Sequence, residues 1–596
     1  MDKDTALDIG ALERSLYGSG EGEPGSLPWL EASWRHPESF WLGLWERARR
    51  GSAIQPGSLP FRFYDFYHDI VHRFEGSGRG AMQTPDGREG WRVLSFAGLG
   101  QQSRSLASAW LDAGAEKGRV VAFVLDTGET LMRTLLTALR LGMVISLIPP
   151  AGRFLLTKRM ERLRPDFVVV EDLHAALPVF STFKRLPHEV FSPEALSRGA
   201  SSRSPLPSQA VYPSSGTAAL LFDPTSPEPC TPRPLTADAL YLGALRDGML
   251  VMGLRSGDFF AAPGFHLLET EPSLMLAGLL SGATRIHMEP ENMGDQALCL
   301  GSQPLRVLGI SRVFRDSLSA RTLDLSRSCL RWFRHPGEGP PSQAWTDCIQ
   351  NLGLGKAMVS CHAWNASLGG VSLFSTGKAG RVHAEVFPAA GIRWRLGDVA
   401  DPSLSVAGQQ GLFMSCPDLS AKEGDEAEGA LASSAILSPH GKGYFHAPAP
   451  HTGKRGLCYP EKEILEILKG YLPKGIYTAL AILDREGAQE DPVCVLLVFG
   501  PGLFSEKGRE DDGQVRLASE IRTCIAREAG EVFVPDQVKF FPLFPRFDET
   551  GEVDGRWCAD QYLTGRLQRK SRHPVFRSLA RLQAFCAQPD GRSVLS

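Results

Sequence analysis

Between Phe96 and Pro150 the apolar residues of this chain change their period from helix to strand twice over. Phe96, Leu99, Leu106 and Trp110 recur at helical spacing. Gly118 then precedes Val120-Val121-Ala122-Phe123-Val124-Leu125, an unbroken apolar run of the kind found in strands buried on both faces. A second helical stretch carries Leu131, Leu135, Leu136, Leu139 and Leu141, closes at Gly142, and gives way to Val144-Ile145-Ser146-Leu147-Ile148 and two prolines. Phe167-Val168-Val169-Val170 is a further strand of the same type. Strands apolar throughout have to be covered on both sides, so the alternation predicts an α/β protein with a parallel, helix-covered sheet.

At 596 residues the chain exceeds the roughly 250–300 residues that one core organises, so several domains are expected. Hydrophobic residues at 43% and charged residues at 22% exclude a wholly disordered chain. With 64 basic against 67 acidic residues, the net charge of −3 offers nothing to attract nucleic acid, and no such partner is expected. The basic stretch Arg556 to Arg581 reads as a solvated helix face or tail. The acidic start Met1-Asp2-Lys3-Asp4 lacks the apolar stretch of a secretory signal, and no apolar run reaches the ~18 residues of a membrane span. The eleven cysteines form no Cys-x-x-Cys pair, which suits free thiols in a reducing compartment. A cytoplasmic protein without a metal site is the expectation.

Two stretches read as loops. Residues 201–234 are rich in Ser, Pro and Thr around Ser214-Ser215-Gly216-Thr217, and residues 417–455 run from acidic into His446-Ala447-Pro448-Ala449-Pro450, a plausible domain boundary. Beyond it, a helical pattern from Glu461 to Leu472 and strands Tyr477 to Leu483 and Val493 to Phe499 suit a small α+β domain.

The order of these pieces resembles the adenylate-forming superfamily of acyl-CoA synthetases, within it the acetyl-CoA synthetase branch. His36-Pro37-Glu38-Ser39-Phe40-Trp41 resembles that branch's approach segment, and Ala138 to Val144 its A-L-x-A-G-A-V unit. Gly337-Glu338-Gly339-Pro340-Pro341-Ser342-Gln343-Ala344-Trp345 and Ala363-Trp364-Asn365-Ala366-Ser367-Leu368-Gly369-Gly370 resemble G-E-P-x-x-P-x-A-W and W-W-Q-T-E-T-G-G. Gly377-Lys378-Ala379-Gly380 follows in order. The resemblance implies helix-covered sheets in a large N-terminal domain, then a small mobile α+β domain. The expected division is an approach segment at 1–90, an AMP-binding-like domain at 91–447, a small domain at 448–556 and a basic tail at 557–596. It also implies ATP or AMP, magnesium and CoA as cofactors, in a reaction that forms an acyl adenylate and passes the acyl group to a thiol.

Carried over residue by residue, the family's chemistry is incomplete here. Its phosphate loop S-G-T-T-G-x-P-K-G is represented by Ser215, Gly216 and Thr217, then Ala218 and Ala219, with Arg233 of Pro232-Arg233 as the stand-in for the lysine. The Thr that contacts phosphate and the Glu that holds magnesium become Ala366 and Ser367, neither an anionic ligand for a hard cation. Trp364 is kept, either as acyl-pocket wall or as a core tryptophan, and Gly337 and Glu338 fall on the adenine side. No ribose-binding T-G-D stands between Glu428 and His440, and a Pro-Ala segment replaces the charged hinge. In Phe547-Asp548-Glu549-Thr550-Gly551-Glu552, Glu552 takes the place of the catalytic lysine. The reading that follows is a ligase-like pseudoenzyme, a binding or accessory subunit whose partner is a protein such as an intact paralogue, or a small acyl ligand. The alternatives are an acyl transferase working from a pre-formed adenylate or thioester, and conventional ligation through substitute residues.

Overall fold

The computed structural model describes residues 33, 35–50, 56–86, 90–171, 189–191, 208–224, 229–318, 323–335, 343–365, 368–376, 385–398, 410–415, 431–440, 443–447, 459–483, 493–500 and 510–572. Its contacts divide the chain into two compact units, Met1–Pro150 with Arg159–Ala449, and Ala151–Lys158 with Pro450–Ser596.

In the first unit the apolar runs become the parallel strands Val144–Ile148, Val120–Val124 and Phe167–Val170, with Val121 opposite both Ile145 and Phe167. Helices Phe96–Asp112 and Glu129–Leu141 lead into the first two of these in chain order. Ser95 starts the first helix, its side-chain oxygen accepting from the Gly98 N–H at 3.0 Å. Gly142, at φ +75°, ends the second, and the Met143 N–H returns to the Ala138 carbonyl at 3.0 Å. Glu189–Phe191 adds a parallel strand on one side. On the other, Thr217–Phe222 runs parallel to Val144–Ile148 and antiparallel to Pro232–Thr236. The first of these last two strands lies inside residues 201–234, which composition marks as a loop, and the second begins there. Ala218, Ala219, Leu221 and Phe222 are buried and carry the strand, while Pro232 and Pro234 are tolerated because their strand is at the sheet edge.

The second sheet has a parallel centre, in spatial order Met358–Asn365, Arg331–Arg334, Leu305–Gly309, Phe259–Ala261, Thr284–Ile286 and Gly80–Asp86. Gly80–Asp86 comes from the approach segment. So does helix Pro37–Arg50, whose buried Phe40 and Trp41 pack on Gly391 at φ +79°. Beyond Met358–Asn365 the sheet continues antiparallel through Gly370–Thr376, Glu385–Pro388 and Gly443–Ala447. Gly443–Ala447 pairs with Leu431–His440, so His446 and Ala447, read from composition as linker, belong to a strand pair. The alternation around Tyr444 and Phe445 is the strand signal that the neighbouring prolines obscure. Pro448 to Pro450 lie outside the described residues.

The second unit carries antiparallel strands Tyr477–Leu483 and Val493–Phe499, with Gln537–Phe541 parallel to the latter. Helix Gly555–Leu563 closes its core of Ala479, Val495, Leu497, Phe499, Cys558 and Tyr562. No helix among the described residues is long and apolar enough to cross a membrane.

One buried ion pair ties the two sheets' elements together. Helix Ala237–Arg246, which follows the edge strand, ends in Arg246, and Asp247 follows it. Both are at most 1% exposed, at an N–O separation of 2.7 Å. Asp247 accepts the Val371 N–H at 2.8 Å while Arg246 donates to the Val371 carbonyl at 2.7 Å and to that of Ala390 at 3.2 Å. Val371 is thereby gripped on both its backbone groups. Removing one partner of a buried pair strands the other charge, at about 3–5 kcal/mol. Arg246→Ala is therefore expected to lose that much stability in denaturant unfolding of the full chain, with Asp247→Asn losing less. A loss within about 0.5 kcal/mol, the scale of an ordinary surface change, would show that the pair does not organise this unit.

Candidate functional site

Ser214 to Gly216 form a turn between Tyr212–Pro213 and Thr217–Phe222, and Thr217 is the first residue of the latter strand. The turn is tied to the start of helix Ala237–Arg246. The Gly216 carbonyl accepts the Ala237 N–H at 2.9 Å, the Ser214 carbonyl accepts that of Asp238 at 3.1 Å, and the Thr236 hydroxyl accepts that of Ala239 at 3.2 Å. Three of the N–H groups that a helix N-terminus can offer an anion are thus occupied by the chain itself.

Arg233 is elsewhere. Strand pairing puts Thr236 opposite Thr217 but Arg233 opposite Leu221. Thr217 and Leu221 are four positions apart along the strand, a distance of about 13 Å. The structure therefore does not gather Ser215, Gly216 and Thr217 with Arg233. In the chain, residues 223–231 connect Thr217–Phe222 to Pro232–Thr236.

That connection begins with Asp223, a residue the sequence reading missed. Asp223 is 4% exposed and Asn365 is 8% exposed. The Asn365 amide donates to the Asp223 carboxylate at 3.4 Å, joining the end of Thr217–Phe222 to the end of Met358–Asn365. Asn365 also accepts the Leu368 N–H at 3.2 Å. A signal was present: Asn365 stands at the Gln of W-Q-T-E, directly before Ala366 and Ser367. Those two residues, with Gly337 and Glu338, lie outside the described residues.

Trp364 is in the strand beside Asn365 and is 2% exposed. Its ring lies 6.4 Å from those of Phe333 and His362. His362 stacks on Phe333 at 4.5 Å, and its Nε2 is 2.9 Å from the Ser360 hydroxyl. Burial holds the His362 imidazole neutral, its pKa lowered to about 3. The Trp364 indole N–H and His362 Nδ1 have no hydrogen-bond partner in this apolar surround.

The glycines after Trp364 are required by packing. Gly369, at φ +79°, lies where a Cβ would come 2.5 Å from the Ala239 carbonyl oxygen, and a Cβ on Gly370 would overlap the Asp247 carboxylate. Helix Ala237–Arg246 passes too close for any side chain there.

In the small unit Glu552 sits on a turn whose flanks pair Phe547 with Val553. One oxygen of Asp548 accepts the Thr550 N–H at 2.9 Å, the Thr550 hydroxyl at 2.7 Å and the Glu552 N–H at 3.0 Å. The Glu552 carboxylate lies 3.0 Å from Lys469 Nζ, both side chains being largely exposed.

At the end of Thr217–Phe222 a buried carboxylate faces an amide, and among the described residues no group of three or more His, Cys, Asp or Glu side chains could hold a metal ion.

No protein-family model matches the chain, and no curated protein does. Its fold has solved counterparts. The acetoacetyl-CoA synthetase from Streptomyces lividans superposes with a TM-score of 0.57 at 15% identity, over 98% of each chain. The o-succinylbenzoate CoA synthetase from Bacillus subtilis, bound with a product analogue, gives 0.62 at 11% identity, over 83% of this chain and 98% of that one. An amide bond synthetase from Marinactinospora thermotolerans gives 0.61 at 15% identity, over 84% and 99%. The chain has the adenylate-forming enzyme fold.

The buried histidine makes acid stability a test of this geometry. An unfolded imidazole takes up a proton below its usual value of 6.5, whereas buried His362 stays neutral down to about 3. The unfolded state binds more protons across that window, so stability falls as pH drops from about 6.5 toward 3. His287, also lowered to about 3 by burial, acts in the same sense. His362→Phe is expected to make the decline of unfolding free energy with falling pH shallower than in the unmodified chain. An unchanged slope would contradict the burial of a neutral imidazole at this position.

Proposed function

We propose that this chain uses the adenylate-forming fold without forming adenylates, as a ligase-like binding or accessory subunit. The observation that carries the reading is Glu552, an acid on the exposed turn where the resemblance calls for a catalytic lysine, with its charge met by Lys469. As pyrophosphate leaves, that position must supply positive charge, and losing one well-placed group of this kind costs about 10²–10³ in rate.

Motif residues divide by what they do. Gly369 and Gly370 are kept where helix packing demands them, and Trp364 is kept in a buried aromatic group. The positions whose family side chains serve only phosphate and magnesium have Ala366 and Ser367. A fold maintained apart from its chemistry would leave this distribution. The ligand favoured is a small acyl group, because the resemblance gives Trp364 the acyl-pocket wall, and the partner favoured is a protein, with an intact paralogue of the same fold as the first to test.

ATP with magnesium is expected to bind too weakly for calorimetry to resolve at micromolar concentrations, and no carboxylate-dependent exchange of pyrophosphate into ATP is expected with acetate, propionate or longer acids. Lys469, close to Glu552, is the available substitute cation. Exchange activity that disappears in Lys469→Ala would replace this reading with ligation through a substitute residue. Thioester formation from synthetic acetyl adenylate and CoA above the buffer rate, without exchange, would make the protein an acyl transferase instead.

A further inference from the structure

A pair of histidines lies outside every residue invoked so far. Residues His68–His72 form a π-helical turn, and such turns gather at functional sites. His68 and His72 stand four residues apart on it, with ring centroids 5.6 Å apart. Each has its Nδ1 turned to a carboxylate: His68 to Asp69 at 3.1 Å and His72 to Glu75 at 3.0 Å. A carboxylate only accepts, so the hydrogen of each neutral ring is on Nδ1 and the lone pair is on Nε2. This is the arrangement in which metal-binding histidines are held, the second nitrogen fixed by an acid that orients the ring and raises its basicity.

The acids are themselves held. Asp69 is fully buried and accepts from the Gly57 N–H at 2.5 Å, the Ser58 N–H at 3.3 Å and the Tyr241 hydroxyl at 2.6 Å. The second oxygen of Glu75 lies 3.6 Å from Arg104. The two imidazoles, by contrast, keep 25% and 34% of their side-chain surface exposed. Two imidazoles sharing one ion at about 2.0–2.1 Å across a near-tetrahedral angle place their centroids about 5 Å apart, close to the spacing found.

We propose that His68 and His72 bind one imidazole-preferring divalent ion, zinc in the first instance, through their Nε2 atoms, with water completing the coordination. Asp69 and Glu75 act as positioning residues for the two ligands.

The test is titration of the full-length protein with zinc chloride, followed by calorimetry, together with mass-spectrometric mapping of histidine modification by diethyl pyrocarbonate. One saturable equivalent is expected, absent in the His68→Ala/His72→Ala double variant and weakened about 10–100-fold in Glu75→Ala. In the unmodified protein, zinc should protect His68 and His72 from the reagent, a readout that needs no variant to fold. Equal zinc binding by the double variant, or unchanged modification of both histidines at saturating zinc, would overturn the site. Full affinity in Glu75→Ala would overturn the role given to that carboxylate.

Discussion

The large unit depends on Arg246 and Asp247. An arginine and an aspartate with essentially no exposure are costly to bury, and the cost is offset only where every polar group finds a partner. Here the partners are the two backbone groups of Val371 and the carbonyl of Ala390. Desolvation pushes the Asp247 carboxyl up to about 6, against the pull of Arg246. The pair fixes where helix Ala237–Arg246 ends relative to the Gly370–Thr376 strand. That placement in turn dictates glycine at 369 and 370, and sets the height of Trp364 and Asn365 in the neighbouring strand.

The fold was legible because its strongest signals are local. The change of period between Phe96 and Ile148 needs no distant residue to be read, and the caps at Ser95 and Gly142 fall where the pattern ends. The strands Thr217–Phe222 and Pro232–Thr236 were not legible from composition, since prolines and serines around a short apolar run look like a loop until an edge position accounts for them. The candidate site was read less well for a related reason. Ser215-Gly216-Thr217 matches a phosphate loop in residue type, but a strand pair separates it from Arg233, and that separation is a matter of register. Asp223 and Asn365 are 142 positions apart in the chain, so their contact belongs to tertiary structure alone.

The two units hold their carboxylates differently. In one, a carboxylate is buried against an amide at the end of a strand. In the other, an exposed carboxylate meets an exposed lysine, an arrangement of little energetic weight by itself.

The turn that carries Glu552 is held by Asp548, through the Thr550 hydroxyl and the backbone N–H groups of Thr550 and Glu552, and the side chain at 552 contributes nothing to holding it. Backbone shape and side-chain identity are thus decoupled at this tip. Mutational drift there meets no structural resistance: a substitution at 552 can reverse the sign of the charge while the loop keeps its shape. At such a position the charge presented to solvent can change in a single step without passing through a misfolded intermediate, and it can change back as readily.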